Sequence, residues 1–148
     1  MAALSYAPRM AKQSEENQII DRLAQVPLFH RTSKKQRQTL AKLGKTLKWS
    51  DGSVAIKQGS KGAAFFLILE GTVDVSVDGQ SVARLSSGDF VGEIALLTNK
   101  PRNATVTALA DCTVFAFGRP GLAAALKTDP NMGMVLLEAM ATRQNVTF

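Results

Sequence analysis

The sequence predicts a mainly β domain, a sandwich or barrel of short strands with helices before and after it. Three observations predict it. Between Trp49 and about residue 118 the apolar segments are short, β-branched and repeatedly interrupted by turn residues, the texture of an all-β unit. Inside that window Val73, Val75 and Val77 alternate strictly with Thr72, Asp74 and Ser76 and lead into Asp78-Gly79, which marks a half-buried strand entering a tight hairpin. On either side of the window, apolar residues recur at helical spacing.

The elements follow in order. Residues 1–13 read as a flexible basic leader. Ser14 followed by Glu15, Glu16 and Asn17 starts a helix, with acids at its positive end. Ile19, Ile20, Leu23 and Val26 form its apolar stripe before Pro27 closes it. Thr32 or Ser33 caps a second helix with apolar positions Leu40, Leu43 and Leu47, interrupted by Gly44. The window then holds seven or eight short strands. The clearest are at 54–56, 65–69, 73–77, 81–85, 105–110 and 112–117, with turns at Ser87-Gly88-Asp89 and Asp111. After Pro120, Leu122, Ala125 and Leu126 make a short helix stopped by Asp129-Pro130. Met134, Leu137 and Ala141 stripe a last helix, with Glu138 beside them, ending near Asn145. The expected organisation is one domain over 14–148, with helices at 14–48, strands at 49–118 and helices at 119–145.

Composition fits a single soluble globular unit: 148 residues, 45% apolar and 20% charged. No apolar run approaches the roughly 18 residues of a spanning helix. Cys112 is the only cysteine and no secretory signal is visible, so a cytoplasmic setting is expected. The charge is uneven: residues 1–50 hold ten Lys/Arg and three Asp/Glu, and residues 51–148 hold eight and nine. The basic half fits a solvated helical face, or a docking surface for an acidic partner, nucleic acid or membrane. Its aromatics Tyr6, Phe29 and Trp49 are too scattered to stack single strands. Catalysis is not expected. His30 is the only histidine and reads as structural or exposed, one Cys and one His make no usual zinc site, and there is no P-loop signature.

One segment carries chemistry, Phe90 to Val106. Gly92 permits a tight turn and close ligand approach. Glu93–Leu97 fits a short helix whose unpaired N–H groups face an anion, with Glu93 favourable at its start. Asn99–Pro101 turns the chain back, and Arg102 then stands where it can fork onto a phosphate. One carboxylate, one arginine and free backbone donors suit a small phosphorylated sugar. A plainer reading fits the same residues, with Glu93 only a helix cap and Arg102 a surface residue or its partner.

The segment closely resembles the phosphate-binding cassette of cyclic-nucleotide-binding domains, Gly-Glu-x-Ala-Leu, a short variable stretch, then Pro-Arg-x-Ala-Thr. Gly92, Glu93, Ala95, Leu96, Pro101, Arg102, Ala104 and Thr105 stand at matching spacing. The resemblance runs from about Leu23 to Arg143 and takes in Pro27-Leu28-Phe29, Leu69-Glu70-Gly71 and Gly88-Asp89-Phe90. It implies an eight-stranded antiparallel, jelly-roll-like β-roll with N-terminal helices and two C-terminal helices. It implies that Glu93 and the Gly92 backbone hold a ribose 2′-hydroxyl. Arg102 would pair with the cyclic phosphate, helped by the amides of Ala95 and of Asn103 or Ala104. Val75 and Val82 stand where members of the family line the base and sugar pocket, and fit equally as core valines. At the place of Asn103, Thr or Ser often accompanies cGMP and Ala is common with cAMP, so cAMP is the first expectation and cGMP stays open. Arg143, Gln144 and Phe148 are candidates for the lid over the base, or part of a fraying C-terminus.

The resemblance thus implies a non-catalytic sensor of a cyclic nucleotide that signals to a separate protein partner by movement of the flanking helices. No specific DNA binding is expected, because the chain reaches Phe148 without a helix-turn-helix after the last helix, and no membrane binding is expected. The competing expectation is a degenerate module that serves as an interaction scaffold without nucleotide.

Overall fold

The computed structural model describes residues 15–26, 29–92 and 98–141, with backbone alone at 135–137 and 139–141. The leader, Ser14, Pro27, Leu28, Glu93, Ala95 and residues 142–148 lie outside the described residues. Eight strands are present: β1 (Lys45–Trp49), β2 (Val54–Ile56), β3 (Phe65–Glu70), β4 (Thr72–Val77), β5 (Gln80–Ser86), β6 (Phe90–Val91), β7 (Thr105–Ala108) and β8 (Cys112–Phe117). They form two four-stranded antiparallel sheets, ordered β1-β8-β3-β6 and β2-β7-β4-β5. Helices α1 (15–24) and α2 (Lys34–Leu43) precede them, and α3 (Arg119–Thr128) and α4 (Pro130–Ala141) follow.

The apolar runs of β3 and β8 explain the layering. Both strands lie inside the first sheet, and successive side chains point to opposite faces. Phe65, Leu67, Leu69, Phe115 and Phe117 pack with Leu23, Val26, Phe29, Leu40, Ala125 and Met132 from the helical layer. Ile68, Cys112 and Val114 face the second sheet and pack with Ile56, Val73, Val75, Val91 and Val106. A strand buried on both faces cannot alternate with polar residues, whereas β4, covered on one face, does.

The β4–β5 hairpin turns on Asp78 (φ 53°) and Gly79 (φ 80°), the two left-handed positions of a type I′ turn. The Gln58 side chain fastens the turn, donating to the Asp78 carboxylate at 2.9 Å and accepting from its N–H at 2.8 Å. Ala83 pairs with Val75 and Ser81 with Ser76, so Val82 is the extra residue of a β-bulge.

The second helix is shorter than the sequence suggests. Ser33 is its N-cap, in a capping box with Gln36. Thr32 is instead buried and donates to the Phe29 carbonyl. The helix stops at Leu43, and Leu47 sits in β1 opposite Val114. The expected helical stretch to residue 48 is therefore wrong beyond Leu43. Gly44 leaves the helix in extended conformation, and a Cβ there would lie 2.3 Å from the Phe115 ring, so only glycine lets the chain cross β8. Leu40, Leu43 and Leu47 mimic a helical stripe by coincidence, since one strand residue falls on the same spacing. β7 likewise ends at Ala108, short of the expected Ala110.

The two sets of helices are tied to each other and to the sheet. The Gln36 amide donates to the Asp129 carboxylate at 2.7 Å, and Asp129 also accepts from the Asn131 N–H. Arg31 pairs with Glu138 at 2.8 Å, and Arg22 of α1 pairs with Glu70 at the end of β3. Among the described residues no helix is long and apolar enough to cross a membrane.

Candidate functional site

Arg102 enters β7 from a loop that is pinned across the sheet edge. Its N–H donates to the Ser60 carbonyl at 2.9 Å, and its carbonyl accepts from the Gly59 N–H at 2.7 Å. This two-bond rung holds the Arg102 backbone against the loop between β2 and β3. One step further along, the Thr105 hydroxyl accepts from the Gln58 N–H.

The side chain turns inward. Arg102 is 8% exposed, and Nη1 is fully buried with no hydrogen-bond partner among the described residues. The guanidinium lies 5.7 Å from the centroid of the Phe66 ring, a cation–π contact. Phe66 is itself held edge-on by Trp49 at 5.2 Å. Two glycines flank the guanidinium. A Cβ at Gly62 would come within 3.3 Å of Nη2, and one at Gly92 within 2.7 Å of Nη1 and 2.5 Å of the Ala64 carbonyl. Gly92 also has φ +93°, a conformation side chains rarely adopt. Both approach and backbone therefore demand glycine at 92.

Burial lowers the Arg102 pKa below its ordinary value by desolvation, yet a guanidinium stays protonated at any pH where proteins fold. An unpaired buried donor costs about 1–3 kcal/mol, more when charged, and a buried cation is tolerated when an anion meets it. Neither of the two described ion pairs involves Arg102. The site thus holds one buried positive charge, and its chemistry fits a compact anion such as a phosphate.

The expected site residues separate into groups. Gly92 and Arg102 lie side by side, a Cβ on Gly92 falling 2.7 Å from Nη1. Ala104 is 3% exposed and shares the inter-sheet core with Val75, which is fully buried, so Ala104 can offer a ligand only its backbone. Asn103 is exposed. Val82 is not a core valine: it is 53% exposed on the bulge of β5, because the extra residue of a bulge is turned out of the ladder. Glu93, Ala95, Arg143, Gln144 and Phe148 lie outside the described residues. Sequence reasoning missed Gly59, Ser60, Gly62 and Phe66. The run Gln58-Gly59-Ser60-Lys61-Gly62 signals a turn, but nothing local indicates that it closes on a residue some forty positions later.

Comparison with known proteins adds to this geometry. A family model described as cyclic nucleotide-binding domain matches residues 46–129. The cAMP-dependent protein kinase regulatory subunit of Mycosarcoma maydis is 42% identical over 90 residues, 58% of this chain and 17% of the relative. That of Colletotrichum orbiculare is 38% identical over 101 residues, 67% of this chain and 26% of the relative. The chain spans about a quarter or less of the length of these relatives. The structure of a PKAR CBD2 with Sp-2Cl-cAMPS bound matches with a TM-score of 0.70 at 26% identity, covering 90% of this chain and 97% of that one.

Proposed function

Because the chain belongs to the cyclic nucleotide-binding domain family, we propose that it is a non-catalytic sensor that binds cAMP beside Arg102 and signals through its flanking helices to a separate protein. The observation that carries this reading is the buried Arg102 guanidinium, with Nη1 unpartnered among the described residues and aimed at a glycine that must stay side-chain-free. A cyclic phosphate supplies the missing acceptor in bidentate geometry. In this reading Glu93 and the Gly92 backbone take the ribose 2′-hydroxyl, and the amides of Ala95 and of Asn103 or Ala104 share the phosphate. Of Val75 and Val82, the exposed Val82 is the one available to the sugar and base, while the fully buried Val75 backs that wall from within the core. The cAMP-dependent relatives favour adenine, and cGMP is the competing ligand.

The output follows from how the helices are held. Gln36–Asp129 and Arg31–Glu138 tie the N-terminal helical segment to the C-terminal helices. A shift of either set is therefore felt by the other. A ligand moves such an equilibrium only by its difference in affinity for the two arrangements. Hydrogen exchange with and without cAMP tests the proposal. Protection is expected in residues 92–104 together with α1, α2 and α4. Protection confined to 92–104 refutes the output through the helices, and no protection anywhere refutes the ligand.

A further inference from the structure

The nucleotide reading leaves a strongly basic surface on α2 unused. Between Asp21 and Asp51 the chain has eight Lys/Arg and no Asp or Glu. Four of these are engaged within the fold. Arg22 pairs with Glu70, Arg31 with Glu138, Arg37 donates to the Thr32 carbonyl, and Lys48 donates to the Thr113 hydroxyl. Lys34, Lys35, Lys42 and Lys45 are exposed and have no ion pair among the described residues. Asp129, which reaches α2, accepts from Gln36 and not from a lysine. Lys34 and Lys35 occupy the first turn of α2, which carries no acidic residue of its own. Cations at the positive end of a helix are unfavourable, so Lys34 and Lys35 stand there at a local cost.

These lysines border a groove. Lys35, Gln38, Thr39, Lys42, Leu43 and Thr128 line a cleft of about 290 Å³. Lys35, Gln38 and Lys42 fall on one face of the helix, and Leu43 adds an apolar contact. No aromatic side chain is present to stack a base, and none of the lining residues is a large exposed apolar group that could enter a bilayer. Residues 1–14 and 142–148 contain no Asp or Glu that could meet the groove. A second copy fits poorly too, because the acids of this chain are dispersed and its one adjacent pair, Glu15-Glu16, borders the neighbouring cleft beside Lys42 and Lys45.

We propose that this groove docks an acidic segment of a separate protein, with carboxylates meeting Lys35 and Lys42 and an apolar side chain covering Leu43. The site is distinct from the nucleotide pocket and does not depend on it. Fluorescence anisotropy tests it with four probes: a labelled short peptide alternating Glu and Leu, its Gln-for-Glu counterpart, an oligothymidine strand, and phosphatidylserine vesicles. The acidic peptide is expected to bind most tightly, and amide shifts should centre on residues 35–43 and Thr128. Lys35→Gln with Lys42→Gln should weaken it about tenfold, the loss of two partly exposed ion pairs. The control pair Lys57→Gln and Lys61→Gln should change it less than about twofold. Lys35→Glu with Lys42→Glu should instead take up a peptide alternating Lys and Leu, which separates charge recognition from loss of fold. The proposal is overturned by equal binding of the Gln peptide, by tighter binding of oligothymidine or vesicles, by shifts centred elsewhere, or by no gain in the charge swap.

Discussion

Replacing Gly92 with alanine separates what the site needs from what the fold tolerates. Gly92 has φ +93°, and a Cβ there would sit 2.5 Å from the Ala64 carbonyl and 2.7 Å from Arg102 Nη1. A side chain at such a φ stores roughly 1–3 kcal/mol of backbone strain. The backbone carbonyl cannot rotate away as a side chain could, so a steric term adds to the strain. Reduced freedom of the unfolded chain returns about 0.4–1 kcal/mol. The net loss is about 2–4 kcal/mol, which at roughly 2–4 °C per kcal/mol for a chain of this size lowers Tm by about 4–16 °C. Gly62 is the matched comparison. It is exposed, and a Cβ there meets only the movable end of Arg102 at 3.3 Å. Gly62→Ala should stay within about 1 kcal/mol of wild-type stability but push the guanidinium aside and weaken cAMP binding about tenfold. Urea and thermal denaturation, paired with cAMP titration, read both quantities. A Gly92→Ala protein melting within about 2 °C of wild type would refute the geometry assigned to that turn.

Further outcomes follow from other positions. Val75→Ala, at a fully buried site, should lose about 2–3 kcal/mol in urea unfolding from transfer and cavity terms. Val82→Ser, at a half-exposed site, should change stability by less than about 0.5 kcal/mol while weakening nucleotide binding; unchanged affinity would remove Val82 from the pocket. Ser33→Ala removes the α2 cap and should cost about 1 kcal/mol, read as a lower Tm at unaltered cAMP affinity. Gly79→Ala forces a side chain into the second left-handed position of the hairpin and should destabilise by about 1 kcal/mol or more.

Much of this fold is visible in local chemistry. Asp78-Gly79, the alternation along β4, and Asp129-Pro130 each encode one structural event between near neighbours, and each stands where the sequence places it. The largely apolar runs of β3 and β8 fit burial on both faces, which three layers supply. The features that mislead depend on long-range packing. β1 reads as helical because its register against β8, and the contact of Gly44 with Phe115, join residues some seventy positions apart. The site shows the same division. Gly92 and Arg102 are legible from their own segment, whereas Gly62, Ser60 and Phe66 enter only when the β2–β3 loop folds against the start of β7. The outward position of Val82 rests on a one-residue bulge, which shifts a strand's facing without altering its composition.

In the proposed function the buried Arg102 guanidinium holds a cyclic phosphate. Isothermal titration of cAMP and cGMP into the wild-type chain and Arg102→Ala measures it most directly. The wild-type chain should bind cAMP more tightly than cGMP. Loss of a buried charge contact of about 2–5 kcal/mol should weaken cAMP in the variant by tens to thousands of fold. Absence of binding to the wild-type chain, or equal affinity of the two proteins, would contradict the account.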